Sequence, residues 1–237
     1  MTKEGLQRDP IIVDMESMVV LDGMHRLGAL KHLGLTHAVC SLVDYKGEGV
    51  RLLRWSRSIR NPSKSLVSRL RTELSMSRKA SVAEGLRLLE SGEVLSSLVL
   101  NGSALICDSQ DTGVSAIEFV KKFDRIIEEE RVDTDFVDEP SLAQALKESN
   151  RAVLLTTKLE KRQVIEAAKK AELFPHKTTM HLLEVRPMGV NFPLTRLREP
   201  TDPSILEGML RRREKKIIEP PANHMGRVYA DKLVVLS

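Results

Sequence analysis

Apolar positions along the chain switch repeatedly between short runs of strand length and a three-residue step, so strands and helices alternate from end to end. Residues 11–13 and 18–21 are β-branched and apolar, parted by 14–17, which predicts strand, turn, strand. Met24, Leu27, Leu30 and Leu33 then recur at three-residue steps with Ala29 beside them, and Gly34 supplies a stop, which predicts a helix over 24–33. Residues 38–43 read as a buried strand and 50–55 as another, after a turn at Gly47 and Gly49. Helices are expected over 64–74 and 82–89. Asn101-Gly102 between two apolar runs in 95–107 is a strong hairpin signal of type I′. A long amphipathic helix fits 114–130, a shorter one 141–147 behind Pro140, a strand 152–156 and a helix 159–171. Beyond Pro193 the chain turns charged, with Arg211, Arg212, Arg213, Lys215 and Lys216 in one run, and reads as a surface helix and an extended tail. No repeat is visible. The class predicted is α/β, mixed with α+β, in three parts at 1–93, 94–200 and 201–237.

Composition narrows this only a little. A chain of 237 residues can bury a proper core without disulfide or metal staples. Cys40 and Cys107 sit in apolar runs and read as small buried hydrophobes, and no Cys/His cluster has zinc spacing. No apolar run has the length of a membrane span and no signal peptide opens the chain, so a soluble, cytoplasmic protein is expected. The net charge of +4 is too small to indicate a polyanion partner, but its distribution is uneven. Arg51, Arg54, Arg57, Arg60, Lys64, Arg69, Arg71, Arg78 and Lys79 are opposed within their stretch only by Glu73. Such a stretch either holds phosphates or is a solvated face.

Candidate chemistry concentrates where the strand over 18–21 passes into the helix, at Asp22-Gly23-Met24-His25-Arg26. A helix start leaves N–H groups unpaired with partial positive charge, which favours phosphate. Gly23 lets the backbone approach a ligand closely, and Arg26 can grip phosphate oxygens in a bidentate manner. Asp22 is placed to bind magnesium or to orient a hydroxyl. Each also has a plain structural reading: Asp22 as the helix N-cap, Arg26 as a surface ion-pair partner, His25 as a packing residue.

This D-G-x-H-R turn, with its Pro10-Ile11-Ile12-Val13 entry and its Lys31-His32-Leu33-Gly34 exit, resembles the signature of the ParB and sulfiredoxin superfamily. The resemblance implies that 1–93 is a nucleotide-binding domain of that type, in which the turn cradles nucleotide phosphates. Met24 stands where the sulfiredoxin branch would need its cysteine. A second stretch, Phe174-Pro175-His176-Lys177-Thr178-Thr179-Met180-His181, resembles a C-terminal element of the archaeal ADP-dependent kinases of free L-serine, with His176 inserted and Met180 in place of an arginine. It would make 94–200 the lobe carrying the substrate loop, with Lys177, Thr178, Thr179 and His181 as cation and hydrogen-bond donors for a small zwitterion. Read without the resemblance, it is a polar loop after a helix. Trp55 is similar in placement to a substrate-side tryptophan of those kinases; alone it reads as a core anchor.

The implied reaction is phosphoryl transfer from ADP, or another nucleotide, with Mg2+, to free L-serine, giving O-phospho-L-serine and AMP for cysteine synthesis. It has Asp22, Gly23, Met24, His25 and Arg26 at the phosphates, Asp22 as catalytic and metal-binding carboxylate, and Trp55, Lys177, Thr178, Thr179 and His181 at the serine, the turn facing the loop. The family's catalytic glutamate would lie upstream of the part matching Pro10, where only nine residues stand, and 2–8 reads as the end of its helix. Neither Glu4 nor Glu16 replaces it. Two other readings follow: a ParB-like regulator binding nucleotide and DNA, whose basic stretch tracks phosphates but which shows no convincing helix-turn-helix, and a non-catalytic truncated homologue.

Overall fold

A computed structural model describes residues 5–108, 115–200 and 202–237. In chain order its elements begin with β1 (Leu6–Gln7), β2 (Ile11–Asp14), β3 (Val20–Asp22), α1 (Met24–His32), β4 (Cys40–Val43), β5 (Val50–Arg60), α2 (Lys64–Glu73), β6 (Arg78–Ser81), α3 (Val82–Glu90), β7 (Val94–Leu100) and β8 (Ser103–Asp108). There follow α4 (Ala116–Glu129), β9 (Asp135–Asp138), α5 (Leu142–Ala145), β10 (Arg151–Thr156), α6 (Lys161–Lys169), β11 (Thr179–Leu183), β12 (Val185–Met188) and β13 (Phe192–Pro193). The last are α7 (Pro203–Arg211), β14 (Lys215–Ile218), β15 (Ala222–His224), β16 (Arg227–Tyr229) and β17 (Lys232–Leu236). The mixed α/β class is as expected.

Two compact units divide the chain: Met1–Arg51 with His181–Ser237, and Leu52–Met180. The limits differ from 93 and 200. A unit built from both chain ends has no contiguous signature, and residue 93 lies between α3 and β7, which pack on each other.

In the first unit β2 is central, antiparallel to β3 and parallel to β4. Helix α1 lays Leu27 and Leu30 over Ile11 and Val13, in a core completed by Val39, Val190, Phe192, Leu197 and Leu236. Gly34, with φ of +67°, ends the helix as expected. Residues 2–4 lie outside the described residues, and Leu6–Gln7, expected as helix, is a strand on β13. The reason is the buried Gln7 amide, which donates to Val39 O at 2.7 Å and accepts from Val39 N at 2.9 Å, an imitation of strand pairing. The expected tail is a sheet instead, β17 lying between parallel β12 and antiparallel β14. Leu233 and Leu236 are buried, an apolar demand masked in the sequence by the cationic run before them. Strand β4 borders its sheet, so Cys40, expected buried, is exposed; Cys107 is buried as expected.

In the second unit β5, β10, β7, β8 and β6 are successive neighbours in one sheet, with β9 also on β5. Strand β10 shows why it forms the middle: Ala152 and Leu154 join one core with α2 and α4, while Val153 and Leu155 join another with α3 and α5. A strand buried on both faces is a continuous apolar run. The expected hairpin is present, Asn101 and Gly102 both having positive φ, 48° and 72°. Helix α4 has the capping box Ser115 and Glu118 and buries Phe119, Phe123 and Ile126; Val114, its expected start, lies outside the described residues. Strands β6 and β9 are short and mostly polar, and carry no apolar alternation to betray them.

Helix α3 sits close to its sheet because Gly85 has no side chain: a Cβ there would lie 2.8 Å from Ser97 Oγ and 3.0 Å from Ala104 Cβ. Gly85→Ala, a change that stabilises an open helix by about 1 kcal/mol, is expected here to destabilise by roughly 1–3 kcal/mol through overpacking. Urea denaturation decides the sign.

Candidate functional site

Local rules alone put Asp22 and Gly23 where they are. Strand β3 ends at Asp22, and Gly23 turns the chain with φ of 99°, a left-handed conformation costly for any other residue. Gly23, not Asp22, is the N-cap of α1, and no side chain caps the helix and no acid lies in its first turn. Met24 and His25 are exposed at the helix start. Arg26 folds back over Gly23 and donates to Pro10 O at 3.2 Å, 3.9 Å from Asp22, while its buried Nε has no partner among the described residues.

Asp22 has a partner that sequence reasoning missed. Arg186, in β12, donates to Asp22 Oδ2 at 2.5 Å and to His181 O at 2.9 Å, and lies 3.1 Å from Asp231 Oδ2. Asp231 in turn accepts the Leu183 N–H at 2.6 Å. Burial alone would raise the Asp22 pKa; the charges of Arg186 and Arg26 outweigh it and hold the carboxyl below its ordinary value. Nothing local in the Val185-Arg186-Pro187 stretch signals this part.

Behind the turn, Asp14 accepts from Ser17 N–H and Oγ–H and from Tyr45 N–H, fixing the β2–β3 connection. Burial pushes its pKa up, and these hydrogen bonds bring it below the usual carboxylate range. The Tyr45 hydroxyl is pushed well above its usual pKa by burial and then by the Asp14 charge. It lies 2.9 Å from His181 Nε2. His181, expected as an outward hydrogen-bond donor, is buried, with its ring on Tyr45 and its carbonyl on Arg186.

The other expected substrate residues belong to the second unit. Lys177 has a left-handed φ of 50°, which sends its Nζ over Trp55, 4.3 Å from the ring centroid, and 5.0 Å from that of Phe136. Lys177 and Trp55, far apart in sequence, are therefore brought together, and Trp55 is half-buried rather than a core anchor. Thr178 donates to Pro175 O at 2.8 Å, and Thr178 and Thr179 line a crevice with Arg54, Thr156 and Thr157. The loop is held by buried Arg57, bidentate to Asp124 at 2.5 and 2.8 Å and donating to His176 O at 3.1 Å. Phe136, Arg57 and Asp124 had no sequence signal beyond residue type. Within this unit the structure brings Lys177 onto an aromatic wall of Trp55 and Phe136, while Thr178 and Thr179 line a separate narrow crevice.

No family model matches the chain. It is 26% identical over 212 residues to an ATP-dependent L-serine kinase of Staphylothermus marinus, covering 82% of this chain and 80% of that one. It is 25% identical over 189 residues to the ADP-dependent L-serine kinase SerK of Thermococcus kodakarensis, 76% and 73% of the two chains. Over 50 residues, 21% of this chain and 25% of the other, it is 48% identical to a ParB-like protein of Sulfolobus acidocaldarius. Among solved structures, a glutamate-to-alanine variant of a free serine kinase in complex with ADP has the same fold, with a TM-score of 0.64 at 24% identity over 83% of this chain and 82% of that one. These likenesses support a ParB/sulfiredoxin-like superfamily for the chain and a closeness to the archaeal serine kinases.

Among the described residues no group of three His, Cys, Asp or Glu side chains is arranged to hold a metal ion, and no helix is long and apolar enough to cross a membrane. The one carboxylate of this turn, Asp22, is flanked by two guanidinium groups.

Asp14 and Asp22 both have folded-state pKa values below the ordinary one, so the folded state binds fewer protons than the unfolded chain in acid. The stability they contribute is full above about pH 4 and is lost as pH falls through the lowered values. Urea midpoints from pH 7 down to 3 should fall. In Asp14→Asn the fall should be shallower, from a pH 7 stability lower by about 1–3 kcal/mol; an unchanged slope would remove Asp14 from the account.

Proposed function

We propose that the protein transfers a terminal phosphoryl group from a nucleoside di- or triphosphate to the hydroxyl of free L-serine, giving O-phospho-L-serine. The observation that carries this reading is the uncapped start of α1 behind left-handed Gly23, with Asp22 beside it and the orphaned Nε of Arg26 turned toward it. Free N–H groups, helix polarity and an unfilled guanidinium site suit phosphate oxygens. Likeness to two serine kinases across three quarters or more of the chain supports the same activity.

In this reading Gly23, Met24, His25 and Arg26 hold the phosphates. Asp22 aligns the reacting groups: kept ionised by Arg186, it is a weak base but a fixed charge, and phosphoryl transfer depends mainly on alignment and charge placement. The serine oxygen attacks phosphorus, the bond to the nucleotide's bridging oxygen breaks, and the hydroxyl proton is released. Lys177 offers its cation to the serine carboxylate, with Trp55 as a wall and Thr178 and Thr179 as hydroxyl partners; His181 orients from behind, through Tyr45. A magnesium ion would fit as a guest of the phosphates, since among the described residues this turn offers it one carboxylate, Asp22, and phosphate and water would supply the rest. Bound there, it would neutralise developing phosphate charge.

One relative is named for ATP and one for ADP, so both donors belong in the test. With serine and ADP the expected products are phosphoserine and AMP; with ATP, phosphoserine and ADP. Asp22→Asn should lower turnover about 100-fold or more, the scale set by losing a charge-stabilising group, while Arg26→Ala should mainly raise the nucleotide KM. A folded protein that makes no phosphoserine from either donor would end this reading. Salt-sensitive duplex binding in its place would favour the regulator reading, which the 50-residue ParB-like match supports.

A further inference from the structure

We propose that Arg186 is a positioning residue for the reaction, fixing Asp22 from behind while Asp231 anchors Arg186 in the core; this rests on the function proposed above. Burial decreases in steps along the three side chains: Asp231 is 4% exposed, Arg186 10% and Asp22 43%. The pair Arg186 and Asp231 is thus the buried foundation, and Asp22 the end that reaches solvent. Removing one partner of a buried ion pair leaves an uncompensated charge, so the pair needs both its members. The attachment of Asp22 has a different character. A half-exposed carboxylate gains little stability from an ion pair, since water solvates it well. What it gains from a planar, buried guanidinium is a fixed direction.

Two further bonds make the arrangement rigid. Arg186 donates to His181 O, and Asp231 accepts from Leu183 N–H, so both residues grip the same segment of β11 from its two ends. Asp22 is therefore tied through one guanidinium to the His181 carbonyl within the same unit. A group whose geometry is set by a packed partner can be held within the tolerance that transfer demands. Lysine cannot take this part, because a single ammonium cannot reach two carboxylates and a carbonyl in one plane.

A double-mutant cycle tests it. Arg186→Lys alone should lower kcat by about tenfold or more, the scale of losing an outer partner of a site group, with the KM values for serine and nucleotide changed by less than about threefold. In an Asp22→Asn background the same change should cost nothing further, since it acts only through Asp22. Asp231→Asn keeps an acceptor for Leu183 N–H and serves if Arg186→Lys does not fold; it should give a smaller kcat loss that likewise vanishes in the Asp22→Asn background. Losses that add in the double variants would overturn the proposal in favour of a purely structural role. A folded wild type that makes no phosphoserine would remove the kinase reading and this proposal with it, whereas additive losses in an active wild type would overturn the positioning role alone and leave the kinase reading standing.

Discussion

A guanidinium shared by two carboxylates organises the first unit. Arg186 lies in a strand near the end of the chain, Asp22 in a turn near its beginning, and Asp231 ahead of the last strand, so one side chain ties three segments that have no local reason to meet. Burying that charge is tolerable because the guanidinium donates to Asp22 and to the His181 carbonyl and lies in an ion pair with Asp231. The same economy appears in Asp14, which turns one buried carboxylate into the fastener of the β2–β3 connection and of Tyr45. Tyr45 then meets His181. Two buried acids, Asp14 and Asp231, thus fasten the β2–β3 connection and the His181 segment to parts of the chain far from them in sequence.

The second unit uses the same device for another purpose. Arg57 is buried in a central strand, yet its fork engages Asp124 of α4 and the His176 carbonyl, so the loop before β11 is held by a charge in the sheet. Left-handed Lys177 follows directly, and its ammonium rests on Trp55 and Phe136. An ammonium on aromatic faces is held by the negative charge of the rings. These contacts fasten a loop that is polar and featureless in the sequence.

What could be read in the sequence was local. Gly34 as a helix stop, Asn101-Gly102 as a type I′ turn, and the Asp22 to Arg26 turn all declare themselves within a few residues, because glycine and asparagine conformations and a strand-to-helix junction are short-range matters. Arg186 could not declare itself: its partner Asp22 is 164 positions away, and that of Arg57 is 67. Strand β1 was missed for a related reason, since the Gln7 amide pairs with Val39 across 32 residues and no apolar alternation is needed. The terminal sheet was hidden by its own cations, since the charged run up to Lys216 conceals that Leu233 and Leu236 are core residues.

The basic stretch between Arg51 and Lys79 shows how the fold decides between two meanings of the same charges. Arg54 pairs with Glu90, Arg57 with Asp124, Arg60 with Asp135, Arg78 with Asp108, and Arg69 with Glu73, Glu129 and Glu130. All these acids except Glu73 lie outside the stretch, so the sequence window shows cations without their partners. Of the nine cations in the stretch, Arg51, Lys64, Arg71 and Lys79 have no ion pair among the described residues. A surface that follows a nucleic-acid backbone works by releasing counterions at many unpaired cations in a row, and here most of the row is already neutralised from within.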